Sequence, residues 1–335
     1  MLGRRMTGPP VLFVSYSGVL GGAERVLLDA VTRLERPLTV ACPDGPLAAA
    51  LRRAGVAHAP IAERPLRLGL AHLAGIAGLA RDIRRLRPEF VVAWGARAVL
   101  AAAPARRPWL AVHHDLLPRG AVRALVKTAS RKAQGVAATS HAIADELVRD
   151  ATVLHPGVDL TRLQPAPLPP GPPRALVLGA LVSWKRPELA LEIADRMPEL
   201  QVTIAGATLP GDDGALEARL WARAGDRVTI AGPTDDVPRA LANAHVLLHC
   251  ADEEPYGMVL VEALAAGRPV VAPAAGGARE IVPDAGLYPP GDAQAAVAAL
   301  RRVLADPGAP AEARRRAEEH FDVRDSTRRL EALLP

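Results

Sequence analysis

The chain reads as an α/β protein built from two doubly wound, parallel-sheet domains. Three observations carry that reading. Short apolar runs alternate with helical periodicity through the first half, six prolines crowd into the ten residues 164–173, and the same alternation restarts after them. A length of 335 residues suits two cores of roughly 150 residues each.

In the first half, residues 11–16 predict a buried strand. Gly21-Gly22 then opens a helix whose Val26, Leu27, Ala30, Val31 and Leu34 share a face. Further strands are expected at 38–42, 90–94, 109–113 and 135–139, with helical periodicity over 70–87 and 119–133. The stretch QPAPLPPGPP can be neither a central helix nor a central strand, because proline lacks the amide donor and fixes its backbone. It sets the expected organisation: a first domain over 1–163, a stiff linker over 164–173, a second domain over 174–320, and a last helix over 321–335 returning to the first. In the second half, strands are expected at 175–178, 201–205, 228–231, 245–250 and 269–272. Helices are expected at 188–196, 215–224 and 259–266, and a charged helical pattern at 311–334 breaks near Phe321-Asp322. Sheets of this kind bind ligands at their strand ends, so a cleft between the two domains is the expected site.

Composition narrows the class. Half of the residues are apolar, which excludes a disordered chain, while aromatic residues make up only 3%. Residues 1–160 carry 22 Lys and Arg against 12 Asp and Glu; the remainder carries 19 against 24. A basic first half points to an acidic partner, but aromatics for base stacking are too scarce for nucleic acid. Cys42 and Cys250 lie far apart in apolar runs, with neither disulfide nor metal spacing, as in a reducing cytoplasm. Arg4-Arg5 before a short apolar run mimics a signal peptide without a cleavage site, and 68–80 contains His72 and is too short to span a bilayer. A cytoplasmic protein, soluble or peripheral on a membrane, is the expectation.

The sharpest chemical signal is Glu254-Pro255-Tyr256-Gly257-Met258-Val259-Leu260-Val261-Glu262. Two carboxylates flank a glycine turn between an apolar strand and a helix. The amides of Gly257, Met258 and Val259 at a helix start suit phosphate or sugar oxygens. Glu262, one turn on, can accept both hydroxyls of a ribose, and Glu254 in the loop can hold the hydroxyls of a sugar.

This segment, continuing through AAGRPVVAP to Gly276-Gly277-Ala278-Arg279-Glu280, resembles the carboxyl-terminal signature of retaining GT-B glycosyltransferases of family 4. GGAER resembles the family's glycine-rich loop, Val112-His113-His114-Asp115 its histidine motif, and Thr139-Ser140 its strand-end motif. His155-Pro156-Gly157-Val158-Asp159 is similar to the loop before the domain crossover, and residues 178–187, LGALVSWKRP, to the diphosphate-binding segment. Each is weak alone; six in family order are specific.

The resemblance implies the GT-B fold and transfer of a sugar from a nucleoside-diphosphate-sugar to a glycan, lipid-linked or small-molecule acceptor. It implies no cofactor, and no metal either, in keeping with a sequence that has no Asp-x-Asp. Lys185, His114 and Glu254 are then the catalytic candidates, and Gly21, Gly22, Arg186, Gly257, Met258, Val259 and Glu262 the donor-binding ones. His113 remains an alternative to His114, and Asp115 is expected to orient the ring. Where the family commonly has arginine after the strand's glycine, this chain has Ala180, and Arg186 is the expected substitute. Gly276-Gly277 is either a turn near the donor or a tight turn only. Residues 231–236 either frame the nucleobase or form a loop with Asp235 capping the next helix.

Two basic helical faces, Arg81, Arg84, Arg85 and Arg87, and Arg119, Arg123, Lys127, Arg131 and Lys132, are either solvated or dock on anionic lipid. Stronger sedimentation with anionic than with neutral vesicles would separate the two. The rival functions are a GT-B epimerase, which needs no acceptor, a non-catalytic nucleotide-sugar binder, and a dinucleotide-dependent dehydrogenase. Against the last, GVLGGAE follows the first strand where Gly-x-Gly-x-x-Gly would be needed.

Overall fold

The computed structural model describes residues 8–64, 70–117, 119–147, 150–208 and 214–335; Arg4, Arg5 and Leu68 lie outside them. The chain divides into two compact units, unit 1 being Met1–Pro156 with Val323–Pro335 and unit 2 Gly157–Asp322.

Unit 1 holds seven parallel strands: β1 (Val11–Ser15), β2 (Leu38–Pro43), β3 (Ala57–Ile61), β4 (Phe90–Trp94), β5 (Trp109–His113), β6 (Gly135–Ala138) and β7 (Thr152–Val153). Their order is β3-β2-β1-β4-β5-β6-β7. Both faces of the sheet are covered, which is why its central strands read as unbroken apolar runs. Successive residues alternate between two cores: Val11, Phe13, Val40 and Val92 enter one, and Leu12, Val14, Ala41, Val91 and Ala93 the other. The chain reverses its direction of growth between β1 and β4, and the carboxyl ends of those strands are where such a sheet receives a ligand. The last helix, Val323–Glu331, belongs to this unit, with Leu330 in the same core as Leu27. Arg36, 3% exposed, donates to the Pro335 carbonyl at 2.5 Å and lies 3.4 Å from Glu331.

Unit 2 repeats the plan with β8 (Arg174–Leu178), β9 (Gln201–Ala205), β10 (Val228–Gly232), β11 (Val246–Leu248), β12 (Val270–Pro273) and β13 (Leu287–Tyr288), in the order β10-β9-β8-β11-β12-β13. Ala175, Val202, Ile204, Val246 and Leu248 face one core; Leu176, Ala205, Leu247, Val270 and Ala272 face the other. Here the switch point lies between β8 and β11.

The division falls at Pro156/Gly157, ahead of the proline-rich stretch 164–173 where the sequence places it. Side chains of unit 2 explain the difference, because they hold this stretch as part of their own body. The Arg268 guanidinium donates to the Ala166 and Pro167 carbonyls at 2.8 and 3.0 Å, and Arg314 donates at 2.6 Å to the carbonyl of Leu163, the residue just before the stretch. No helix among the described residues is long and apolar enough to cross a membrane. Part of the basic surface of unit 1 has internal partners: Arg84 donates to the Pro104 carbonyl, and Arg123 lies 2.8 Å from Glu146.

Candidate functional site

In unit 2 the loops leaving β8 and β11 meet at the switch point. The first turns at Gly179 (φ +145°), a backbone position that side chains rarely adopt. A Cβ on Gly206 would stand 1.8 Å from the Gly179 carbonyl, so the two backbones touch directly. A single 3-10 turn, Ser183–Lys185, follows. Lys185 Nζ stands 5.0 Å from the centroid of the Trp184 ring and 3.6 Å from Glu254 Oε2.

The second loop carries His249, Asp252 and Glu254. Glu254 is 8% exposed, and its Oε2 lies 3.0 Å from Nε2 of His249, a residue only 4% exposed. Burial alone would push the Glu254 carboxyl up, but the His249 contact and the Lys185 ammonium outweigh it and hold the group below its ordinary range. The site therefore keeps a buried carboxylate ionised.

Gly257 (φ +101°) then starts the helix Met258–Ala265. Most of that helix is buried; Met258, Val259 and Glu262 are the members that reach the surface. The residues expected to meet a donor thus share one edge of an otherwise apolar helix. Gly277 N–H donates to the Glu254 carbonyl at 2.8 Å, and a Cβ on Gly276 would stand 2.1 Å from the same oxygen. The glycine pair is therefore a close-packed buttress of the Glu254 loop.

Arg186, the residue expected to take the place of the missing arginine at Ala180, donates to Asp252 at 2.7 Å, which raises its pKa. It sits at φ +46° at the start of the helix Pro187–Arg196, and this left-handed turn directs it to that carboxylate. The cap of the helix Val237–Ala242 is Asp236, which accepts from Arg239 N–H at 3.0 Å, and not Asp235.

In unit 1 the two adjacent histidines separate by environment. His113 is 1% exposed and lies on β5 with Nε2 3.0 Å from Ser130 Oγ. Because that hydroxyl donates to the Val126 carbonyl at 2.8 Å, it must accept from the ring, which fixes His113 as a neutral Nε2–H tautomer. His114 follows the strand end, half-buried, with Nδ1 3.1 Å from Asp115 Oδ2 and its ring 6.1 Å from that of Trp94. A Cβ on Gly95 (φ +88°) would stand 2.6 Å from His114 Nε2, so the ring lies directly over the turn after β4.

The glycine-rich loop after β1 holds a residue that the motif reading passed over. Gly21 N–H, expected to face phosphate, donates to Glu24 Oε2 at 3.2 Å, as the third residue of a helix reaches back to its cap. Gly22 is exposed, with open space where a side chain would be. Burial raises the Glu24 carboxyl above its ordinary value in spite of nearby His114.

Burial lowers the His113 pKa to about 4, with the neighbouring His114 adding to it. The folded pKa lies below the unfolded value, so the stability tied to neutral His113 is complete above about pH 6.5 and lost as pH falls toward 4. Between pH 7 and pH 4 the wild-type unit should lose about 3 kcal/mol more than a His113→Gln variant, which keeps the polarity without the proton. Hydrogen exchange of the β5 amides across that range measures the difference; equal losses would refute it.

Comparison with known proteins places the chain in a family. Residues 161–320 match the model for glycosyl transferases group 1, and residues 20–162 match that for glycosyltransferase family 4. The chain belongs to this glycosyltransferase family. A D-inositol 3-phosphate glycosyltransferase of Streptomyces bingchenggensis is 33% identical over 199 residues, covering 49% of this chain and 44% of that protein. A phosphatidyl-myo-inositol mannosyltransferase of Mycolicibacterium smegmatis is 33% identical over 177 residues, covering 48% and 45%. The chain thus spans about half the length of these curated relatives. Among solved structures, Anabaena HepE in complex with UDP-glucose superimposes with a TM-score of 0.85 at 22% identity, covering 97% of this chain and 99% of that one. The sucrose-phosphate synthase of Thermosynechococcus elongatus gives 0.80 at 19%, covering 97% and 98%. The chain therefore shares the GT-B fold, with two Rossmann-like domains.

Proposed function

We propose that this glycosyltransferase takes a nucleoside-diphosphate-sugar on unit 2 and transfers the sugar, with retention and without a metal, to a hydroxyl acceptor served by unit 1. The observation that carries the reading is the pairing of Lys185 and Glu254 3.6 Å apart at the switch point, beside the half-buried edge of Met258, Val259 and Glu262. In this reading Glu262 accepts the ribose hydroxyls, the amides that begin its helix meet the diphosphate, and Glu254 holds the donor sugar. Lys185 stabilises the charge that grows on the leaving diphosphate, the work that a cation does in metal-dependent enzymes.

The C1–O bond to phosphate breaks with its electron pair leaving on the diphosphate, and the acceptor oxygen bonds to C1 from the same face. The departing phosphate takes the acceptor proton. Of the two histidines, His114 is the one carried over for contact with the reacting sugar, because the His113 ring is closed in against Ser130. Acceptor names among the relatives, inositol phosphate and phosphatidylinositol, support a polyol hydroxyl as the nucleophile.

Thermal shifts with UDP, GDP, ADP, their glucose conjugates and NAD test the proposal. One nucleoside diphosphate and its conjugate should stabilise the protein equally with and without EDTA, by about 2.7 kcal/mol at a hundredfold excess over Kd. Glu262→Ala should weaken both about 10- to 100-fold, the worth of one or two hydrogen bonds to a charged group. Stabilisation by NAD alone, or a response abolished by EDTA, would overturn it.

A further inference from the structure

We propose that His249 is a positioning residue that fixes the Glu254 carboxylate for the sugar of the donor. The inference rests on the reading of unit 2 as a nucleotide-sugar site, and it assigns a role to a side chain that no motif reading selected.

His249 directly follows β11 at the switch point, and its backbone is tied on both sides. Its N–H donates to the Val271 carbonyl at 2.8 Å, and its own carbonyl accepts from the Tyr288 hydroxyl at 2.7 Å. Tyr288 is 2% exposed, so the position of His249 is set by the core and not by solvent. The ring has little freedom left, and its Nε2 stands 3.0 Å from Glu254 Oε2.

Both atoms are shut off from water, and at 3.0 Å they remain out of line for a hydrogen bond. Two buried polar atoms facing each other without alignment are costly, and leucine at 249, directly after an apolar strand, would avoid the cost. A small rotation of the Glu254 carboxylate closes the bond. A hydroxyl of a bound sugar provides the reason for that rotation.

The contacts of His249 and Lys185 fall on the same oxygen, Oε2. They gather these protein contacts on one oxygen, which leaves Oε1 for a hydroxyl of the sugar. His249 thus acts on the sugar through Glu254, while Glu262 and the helix start act on the nucleotide. The two halves of the donor should separate cleanly in binding.

The test titrates the nucleoside diphosphate selected by the panel above, and its glucose conjugate, against the wild type and the His249→Leu, His249→Gln and Glu254→Gln variants. In His249→Leu the conjugate should bind about tenfold more weakly, the loss of one hydrogen bond to a charged group, while the bare nucleotide changes less than about twofold. His249→Gln, whose amide can donate from nearly the position of Nε2, should bring the conjugate back to within about threefold of wild type. Should His249→Leu fail to fold, His249→Asn, whose amide stops short of Glu254, takes its place.

Equal weakening of both ligands would mean a purely structural role and overturn the inference. So would an unchanged ratio in His249→Leu alongside a lost preference in Glu254→Gln, and this result would leave the nucleotide-sugar reading standing. An unchanged ratio in Glu254→Gln would instead overturn the placement of the sugar, and the inference with it.

Discussion

Lys185→Ala is expected to lower kcat about 10²- to 10³-fold while moving the donor KM less than about fivefold, because its charge matters most as the leaving group departs. The ammonium lies 3.6 Å from a carboxylate that is itself held ionised, so in the resting site it already meets an anion, one more deeply buried than itself. A diphosphate gaining charge in the transition state competes with Glu254 for it, and the gain appears in turnover more than in ground-state binding. Steady-state kinetics with saturating acceptor measure the effect. If kcat falls less than about fivefold, the diphosphate must be stabilised elsewhere, since one lost donor in a dry site is worth far more than that. Arg186 is then the next residue to change, once freed from Asp252.

How much of this was legible in the sequence varied with the physics of each segment. Strands β1, β4 and β5 announced themselves because both sheet faces are covered and nearly every residue is buried. Strand β3, Ala57–Ile61, did not: it lies at the sheet edge, half-exposed, with Pro60 inside it, as only an edge strand tolerates. The helix Ala293–Ala305 packs Ala296, Val297, Ala299 and Leu300 into the core, yet its alanine-rich face gives little apolar contrast. Glu254, Gly257 and Glu262 stood out because carboxylates and a glycine interrupt an apolar stretch at helical spacing. His249 was hidden for the opposite reason, lying within HVLLHC, where a histidine at either end looks like part of the strand. Its partner choice is a tertiary fact, as is the Arg186–Asp252 pair, and no local pattern encodes either. The choice between Asp235 and Asp236 as cap was likewise beyond the sequence, since either side chain can cap and backbone angles decide.

The largest expected loss of stability belongs to Arg268. This side chain is 1% exposed, and its guanidinium donates to the carbonyls of Leu241, Ala166, Pro167 and Ala242 at 2.9, 2.8, 3.0 and 3.3 Å. Proline has no amide to pair with its neighbours, so six prolines among ten residues leave carbonyls in want of donors from elsewhere. Arg268 supplies two of them, Ala166 and Pro167, and so ties the stretch 164–173 to unit 2. Burial pulls its pKa down, yet guanidinium stays charged, and the carbonyl dipoles take the place of water around it. Arg268→Leu removes the charge and leaves those carbonyls unpaired, which should cost unit 2 about 3–5 kcal/mol. Arg268→Lys should recover less than about half of this, because an ammonium has three donors and no planar fork to span four acceptors. The slowest-exchanging amides of β9 report the loss, and cleavage of 164–173 by a broad-specificity protease should accelerate with it. A cost below about 1 kcal/mol would mean that water reaches these carbonyls as readily as arginine does. The proline-rich stretch would then be a tether between units, as its composition alone suggests, and not a strap belonging to one of them.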